Sequence, residues 1–348
     1  MFTKEKLELY YIYRLVIFIP IFMTAHTDSY IKKKMAAAWA GLMIGDALGA
    51  PAEFCHHDDI MVKYPDGIQD MVPGFGIYTD RRPGEVTDDT QMAYCLHLAL
   101  QDANGWSRDA ALARYREWLA TDPPDVDVVI YDALTGNPHP ESKGNGALKR
   151  VMPIALWAAS HPDFDWETAA REDAAITHPH PLCGDANVLF VHTMLTAMQP
   201  GITAQEIFQS AKFFILKKKL SRALYCDILH RCFPPDYDGE HIGWLRVALH
   251  GVFHQMLYAA SFREAMIDVV SAGGDTDTNA AITGALLGAW KGIDCLDRSW
   301  LAAVHAANPR HYTKLLPSMR SLPCTPIRLD EPVTHYTHRT SGIILPFD

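Results

Sequence analysis

The chain has 348 residues, 49% of them hydrophobic and 21% charged, a composition that excludes a collagen-like, coiled-coil or wholly disordered protein. Its 41 acidic residues against 31 basic ones give a formal charge of −10 and a pI near 5.9, so no nucleic-acid partner is expected, since such surfaces leave a basic footprint. Seven scattered cysteines (Cys55, Cys95, Cys183, Cys226, Cys232, Cys295, Cys324) show no C-x-x-C pair, which argues against zinc-ribbon sites and disulfide frameworks and fits free thiols in a reducing cytoplasm.

In chain order, Lys4 and Lys6 precede an apolar, aromatic stretch from Leu9 to Phe22. Glu5, Glu8 and Arg14 weigh against a secretory signal, and the stretch is too short to span a bilayer, so no membrane partner is expected. Tyr10, Tyr11, Tyr13, Phe18 and Phe22 have the composition of interface anchors. Residues 1–33 therefore read as an extension that docks on a partner, or as a segment upstream of a true start at Met23.

The first helix is expected over Met35–Gly49, apolar nearly all round and rich in Ala and Gly, which marks it for burial. Further helices are expected over Thr90–Asp102 and over Arg108–Ala120, the latter N-capped by Ser107 and stopped by Asp122-Pro-Pro124. The next runs from Gly146 to Ser160 with a kink at Pro153. After it come Trp166–Thr177, Cys183–Met198, Thr203–Lys218, Leu220–Cys232, Ile242–Ala259, Phe262–Ala272 and Thr278–Trp290. Only Ile68–Val72 and Val126–Ile130 read as strands, and both are short. The fold class is therefore all-α: one compact single-domain helical bundle over residues 34–318, followed by an irregular, Pro-rich tail at 319–348.

Two acidic clusters stand immediately before helices: Glu85-Val-Thr87-Asp88-Asp89-Thr90 and Gly273-Gly274-Asp275-Thr276-Asp277-Thr278-Asn279. Capping explains a Thr or Asp at a helix start. It explains less well a pair of carboxylates at the head of a small-residue helix suited to deep burial, where unpaired charge is costly. If the clusters converge, their carboxylates and threonine hydroxyls form a hard-oxygen cage suited to two Mg²⁺ or Mn²⁺ ions. Gly45-Asp46-Ala-Leu-Gly49 ends the first helix and places Glu53 just beyond it, with Asp46 read as either a capping or a site carboxylate. Ser142-Lys143-Gly144-Asn145-Gly146 is a Gly-rich loop of the kind that receives phosphate through backbone N–H groups. Thr177-His178-Pro-His180-Pro follows.

The joint order of these motifs resembles the ADP-ribosylglycohydrolase family, which includes hydrolases that remove ADP-ribose from arginine on dinitrogenase reductase. The resemblance spans about Lys34 to Trp300 and rests most heavily on Gly-Gly-Asp-Thr-Asp-Thr-Asn. It implies a compact orthogonal helical bundle, two Mg²⁺ or Mn²⁺ ions and an ADP-ribosylated protein as substrate. It implies metal-ligating roles for Thr87, Asp88, Asp89, Asp275, Asp277 and Thr278, and catalytic roles for Glu53 and Asp89. It also implies ADP-ribose contacts from Ser142, Gly144, Asn145, Gly146 and His178. Lys143 and the N-terminal extension depart from the family pattern. Cleavage of an arginine N-glycosidic bond is the leading expectation. Serine-linked ADP-ribose, O-acetyl-ADP-ribose, and immunity to an ADP-ribosyltransferase toxin, by hydrolysis or by direct blocking, are the alternatives.

Overall fold

Small residues recur every four positions along the first helix, at Ala37, Gly41, Gly45 and Gly49, and along the last long one, at Thr276, Ala280, Gly284 and Gly288. The two runs meet antiparallel. A β-carbon on Gly41 would lie 2.1 Å from the Gly284 carbonyl oxygen, and one on Gly284 the same distance from that of Gly41. No side chain fits at Gly41 or Gly284, so glycine is required at both, and the pair is the most extensive helix contact among the described residues.

The computed structural model of the chain describes residues 25–229, 237–239 and 241–308. Fourteen helices lie among them: α1 (Ala25–Gly49), α2 (His57–Lys63), α3 (Asp88–Ala103), α4 (Arg108–Leu119), α5 (Val128–Thr135), α6 (Met152–Ser160) and α7 (Trp166–Thr177). They continue as α8 (Pro181–Ala197), α9 (Ala204–Lys218), α10 (Arg222–Leu229), α11 (Leu245–Tyr258), α12 (Phe262–Ser271), α13 (Thr276–Lys291) and α14 (Arg298–Ala307). No strand occurs among the described residues, so the all-α expectation holds. A single hydrophobic cluster runs through the bundle, from Trp39 and Leu42 on α1 through Trp118 and Phe190 to Trp300 on α14.

Several local expectations need correction. Val126–Ile130 is not a strand: Asp127 N-caps α5, accepting from the Val129 and Ile130 N–H groups at 2.6 and 3.1 Å. The β-branched run misled because the cap preceding it outweighs propensity. Ile68–Val72 is irregular chain. The helix expected from Gly146 begins only at Met152, which puts Pro153 in the first turn, where its missing N–H costs nothing and no kink is needed. α1 starts ten residues earlier than its apolar stripe, because the sequence before Met35 is mostly polar, with Ser29, Lys32 and Lys33 exposed, and carries no apolar pattern. The aromatic stretch Leu9 to Phe22, the rest of the helix expected to end at Cys232, and the tail at 319–348 lie outside the described residues. Among the described residues no helix is long and apolar enough to cross a membrane.

Candidate active site

Three helix ends meet at one place. The α1–α13 seam sets the C-terminus of α1 against the N-terminus of α13, with the Thr276 hydroxyl donating to the Gly49 carbonyl at 2.8 Å. A 3₁₀ turn (Ala50–Ala52) then turns the chain so that Glu53 follows beside Asp275. The Phe54 N–H donates to the Gly274 carbonyl at 2.7 Å and the Gly274 N–H to the Cys55 carbonyl at 2.9 Å, which closes this junction. Gly273 and Gly274 have φ of +81° and +76°, and a β-carbon on Gly274 would fall 1.8 Å from the Tyr237 carbonyl oxygen. Only glycine satisfies both demands.

The N-terminus of α3 forms the third side. Thr87 is its N-cap, and Asp46 reaches across from α1 to accept from the Thr87 N–H (2.9 Å), the Thr90 N–H (3.1 Å) and the Thr90 hydroxyl. Both Asp46 oxygens are thereby engaged, so the capping reading of Asp46 is the one the geometry supports. The two acidic clusters do converge. Thr278 Oγ1 donates to Asp89 Oδ2 at 3.3 Å, and Thr87 Oγ1 donates to the same oxygen at 3.3 Å. Lys149 Nζ bridges Asp88 Oδ2 and Asp89 Oδ2 at 2.8 and 2.9 Å.

Sequence reasoning missed Asp125. It read the Asp122-Pro-Pro124 segment only as a helix stop, whereas the chain turns there and delivers the next carboxylate into the site. Asp125 accepts from the Tyr78 hydroxyl at 2.9 Å and is paired with the Arg81 guanidinium at 2.5 Å. Glu53, Asp125 and Asp277 each present one carboxylate oxygen within 4.8 Å of the others. Lys149 and Arg81 were missed as well, because nothing in their local sequence announces a buried partner.

Seven carboxylates are buried here: Asp46, Glu53, Asp88, Asp89, Asp125, Asp275 and Asp277. The buried side-chain cations in contact with them are Lys149 and Arg81. Burial, reinforced by Asp125, Asp275 and Asp88, pushes the Glu53 carboxyl up to about 10. Burial and then Asp88 push Asp125 up to about 6, against the opposing pull of Arg81. Asp89 and Asp277 are raised as well, chiefly by burial. Burial alone would lower the Lys149 ammonium, but Asp88 and Asp89 outweigh it and hold the group charged. Glu53 Oε2 and Asp89 Oδ1 are buried with no hydrogen-bond partner among the described residues. Unpaired carboxylate oxygens in an apolar surround cost several kcal/mol unless a cation or proton meets them. Oxygen-only donors in this density fit a hard divalent cation, and the positive ends of α3 and α13 point at the same spot.

The Gly-rich loop borders the cluster. Asn145 Nδ2 donates to Asp275 Oδ2 at 2.7 Å, while its backbone N–H donates to the Gly243 carbonyl at 2.9 Å. Ser142 and Gly144 sit at the outer, half-buried end, with the Gly144 N–H donating to Ser142 Oγ at 3.3 Å. Gly146 is needed for space, since a β-carbon would approach His178 Cε1 to 2.9 Å.

His178 is buried, and burial together with Arg150 and Lys149 pushes its pKa down to about 3. Arg150 Nη1 donates to Thr177 Oγ1 at 2.8 Å, and the same hydroxyl is hydrogen-bonded to His178 Nδ1 at 2.9 Å. Nε2 of the neutral ring is buried without a partner among the described residues and is held beside the loop. Arg150 is itself fixed by Asp173 at 3.2 Å, and Asp173 by the Tyr115 hydroxyl at 2.7 Å.

The arrangement can therefore hold a cation, which would in turn keep the Glu53 carboxyl ionised, and it sets a Gly-rich loop and His178 along one rim of the cluster. The ADP-ribosylglycohydrolase family model matches residues 27–322. Similar curated proteins include the ADP-ribosyl-[dinitrogen reductase] glycohydrolase of Rhodospirillum rubrum, 28% identical over 85% of this chain and 98% of that protein. The ADP-ribosylarginine hydrolase Tri1 of Serratia proteamaculans is 25% identical over 77% of this chain and 74% of its own length. A solved structure titled ADP-ribosylglycohydrolase-related protein complex aligns with a TM-score of 0.67 at 26% identity, covering 80% of this chain and 94% of that one. The chain thus belongs to the ADP-ribosylglycohydrolase family, whose members act on ADP-ribose linkages.

Proposed function

We propose that the protein hydrolyses the N-glycosidic bond between ADP-ribose and an arginine side chain of a modified protein, with a divalent cation, Mg²⁺ or Mn²⁺, at the carboxylate cluster. The observation that carries this reading is the convergence of Glu53, Asp125 and Asp277 within 4.8 Å in a buried site, with Glu53 Oε2 left bare. The arginine linkage is favoured by relatives named as an ADP-ribosylarginine hydrolase and as a glycohydrolase acting on ADP-ribosylated dinitrogen reductase.

The residues that would hold the cation are Glu53, Asp125 and Asp277, with Asp275 beside Glu53. When bound, it supplies Lewis acidity toward the ribose hydroxyls and offsets the clustered negative charge. The chain's own residues do the rest. The loop from Ser142 to Gly146 and the Nε2–H of His178 receive the pyrophosphate, whose negative charge the acidic surroundings alone would repel. Asn145 holds Asp275 at 2.7 Å and so keeps this loop in register with the cluster. The carboxylates of Asp275 and Asp277 stabilise the oxocarbenium-like charge that develops at C1″. Glu53 takes a proton from the attacking water as its oxygen bonds to C1″ and the bond from C1″ to the guanidine nitrogen breaks. The same proton then passes to the departing guanidine, so that free ADP-ribose and protonated arginine result.

The test is a panel of arginine-ADP-ribosylated protein, serine-ADP-ribosylated protein and O-acetyl-ADP-ribose, each assayed with Mg²⁺ and with EDTA. Release of ADP-ribose from the arginine conjugate alone, abolished by EDTA, is expected. Turnover of only the serine or O-acetyl substrate, or turnover indifferent to EDTA, would overturn the assignment.

A further inference from the structure

The donor set at the head of α3 already has an occupant. Lys149 Nζ lies 2.8 Å from Asp88 Oδ2 and 2.9 Å from Asp89 Oδ2, and the hydroxyls of Thr87 and Thr278 reach that same Asp89 oxygen at 3.3 Å. These are four of the six residues that the sequence marks as metal ligands, and the ammonium is bound where they converge. The other end of the cluster is different: Glu53, Asp125 and Asp277 face one another within 4.8 Å, and Glu53 Oε2 has no hydrogen-bond partner among the described residues.

Lys149 is not poised to leave. Its side chain is 6% exposed, its backbone N–H donates to the Asn145 carbonyl at 3.0 Å, and it is followed by the fully buried Arg150, which is tied to Gly146, Asp173 and Thr177. Withdrawing the ammonium would either bury it without a partner or open the loop that carries Asn145. A divalent ion placed on the same oxygens would sit at contact distance from a like charge in a poorly screened interior.

We propose that Lys149 is a built-in counter-ion that takes the place of one of the two cations, so that the chain binds a single divalent ion, at the end formed by Glu53, Asp125 and Asp277. This rests on the divalent-cation reading given under Proposed function. Lys149 acts here as a specificity-determining residue of the metal centre: it neutralises Asp88 and Asp89 permanently and sets the stoichiometry at one.

The experiment counts Mn²⁺ per full-length chain by calorimetric titration and by elemental analysis after gel filtration, for the wild type, Lys149→Met and Lys149→Gln. Circular dichroism reports whether each variant is folded. The expected result is one ion in the wild type and two in either folded variant. In electron paramagnetic resonance the wild type should give an isolated six-line Mn²⁺ spectrum, and the variants an exchange-coupled one. A wild-type count of two overturns the proposal whatever the variants do, and so does a count of one in a folded variant. A count of zero in all three removes the divalent-cation reading itself, and this proposal with it.

Discussion

The side-chain amide of Asn145 donates to Asp275 Oδ2 at 2.7 Å, joining residues 130 positions apart in sequence. It is the direct bond between the Gly-rich loop and the carboxylate cluster, and so between the part of the site that would grip ADP-ribose and the part that would cleave it. Asn145→Ala removes this bond and frees the Asp275 carboxylate to turn. Groups that orient a metal-site carboxylate typically contribute 10- to 100-fold to metal affinity or activity. A fall of about that size in kcat/KM for ADP-ribose release is expected, with the Tm changed by only a few degrees. Unchanged kinetics would show that the loop keeps its register without this contact.

The Gly41–Gly284 seam admits no side chain, so Gly284→Val should force α1 and α13 apart. Overpacking of this kind costs about 1–3 kcal/mol, and more where the obstacle is backbone. Thermal denaturation should show a Tm several degrees lower. Because the seam also aligns Glu53 with Asp275, activity at temperatures where the variant is still folded should fall too. A destabilised variant with full activity would separate the seam from the site.

His178 offers a test of the ligand rim. Its Nε2 is buried and unpartnered among the described residues, and burial with Arg150 and Lys149 holds the ring neutral throughout the physiological range. His178→Phe keeps the ring and removes the donor. Loss of one hydrogen bond to a charged group costs about 1.5–3 kcal/mol, so KM for the ADP-ribosylated substrate, or Kd for ADP-ribose, should rise by roughly 10- to 150-fold. Equal affinity in the variant would mean that the anion lies elsewhere.

Glu53 makes the metal-free protein pH-sensitive in a definite direction. Its folded-state pKa of about 10 lies above its value of 4.5 in an unfolded chain. The stability it contributes is therefore complete below about pH 4.5 and is lost as pH rises toward 10. Above about pH 7.5 the buried His97, His178 and His192, pushed down to about 4, 3 and 4, are neutral in both states and add no slope. In EDTA, stability should fall between about pH 7.5 and 9.5 at about 1.4 kcal/mol per pH unit from Glu53 alone. Glu53→Gln should flatten that fall, and saturating Mg²⁺ should remove its Glu53 component. Melting curves at several pH values decide the matter, and a Tm that rises with pH in EDTA would contradict it.

The sequence carried the helical class and the paired acidic clusters because both are written in local chemistry. Gly and Ala at every fourth position foretell a close helix seam, and Gly-Gly before Asp-x-Asp foretells a helix head that only positive φ can reach. Asp125, Lys149 and Arg81 were not legible because their roles come from long-range pairing. The partner of Asp125 lies 44 residues away and that of Lys149 about 60, and no residue beside either marks the contact. Asp46 was ambiguous for the same reason: its three donors belong to another helix. The β-branched run at Val128–Ile130 looked like a strand until the Asp127 cap and the core around Ile130 decided for helix.

The most direct test of the account is single-turnover release of ADP-ribose from an arginine-ADP-ribosylated protein by the wild type and by Asp275→Asn, both loaded with Mg²⁺. Loss of an electrostatic group aimed at the developing charge costs about 10²–10³-fold in rate, so the variant should be slower by at least that factor while remaining folded. A folded Asp275→Asn enzyme that releases ADP-ribose at the wild-type rate would contradict the claim that this carboxylate cluster is the catalytic centre.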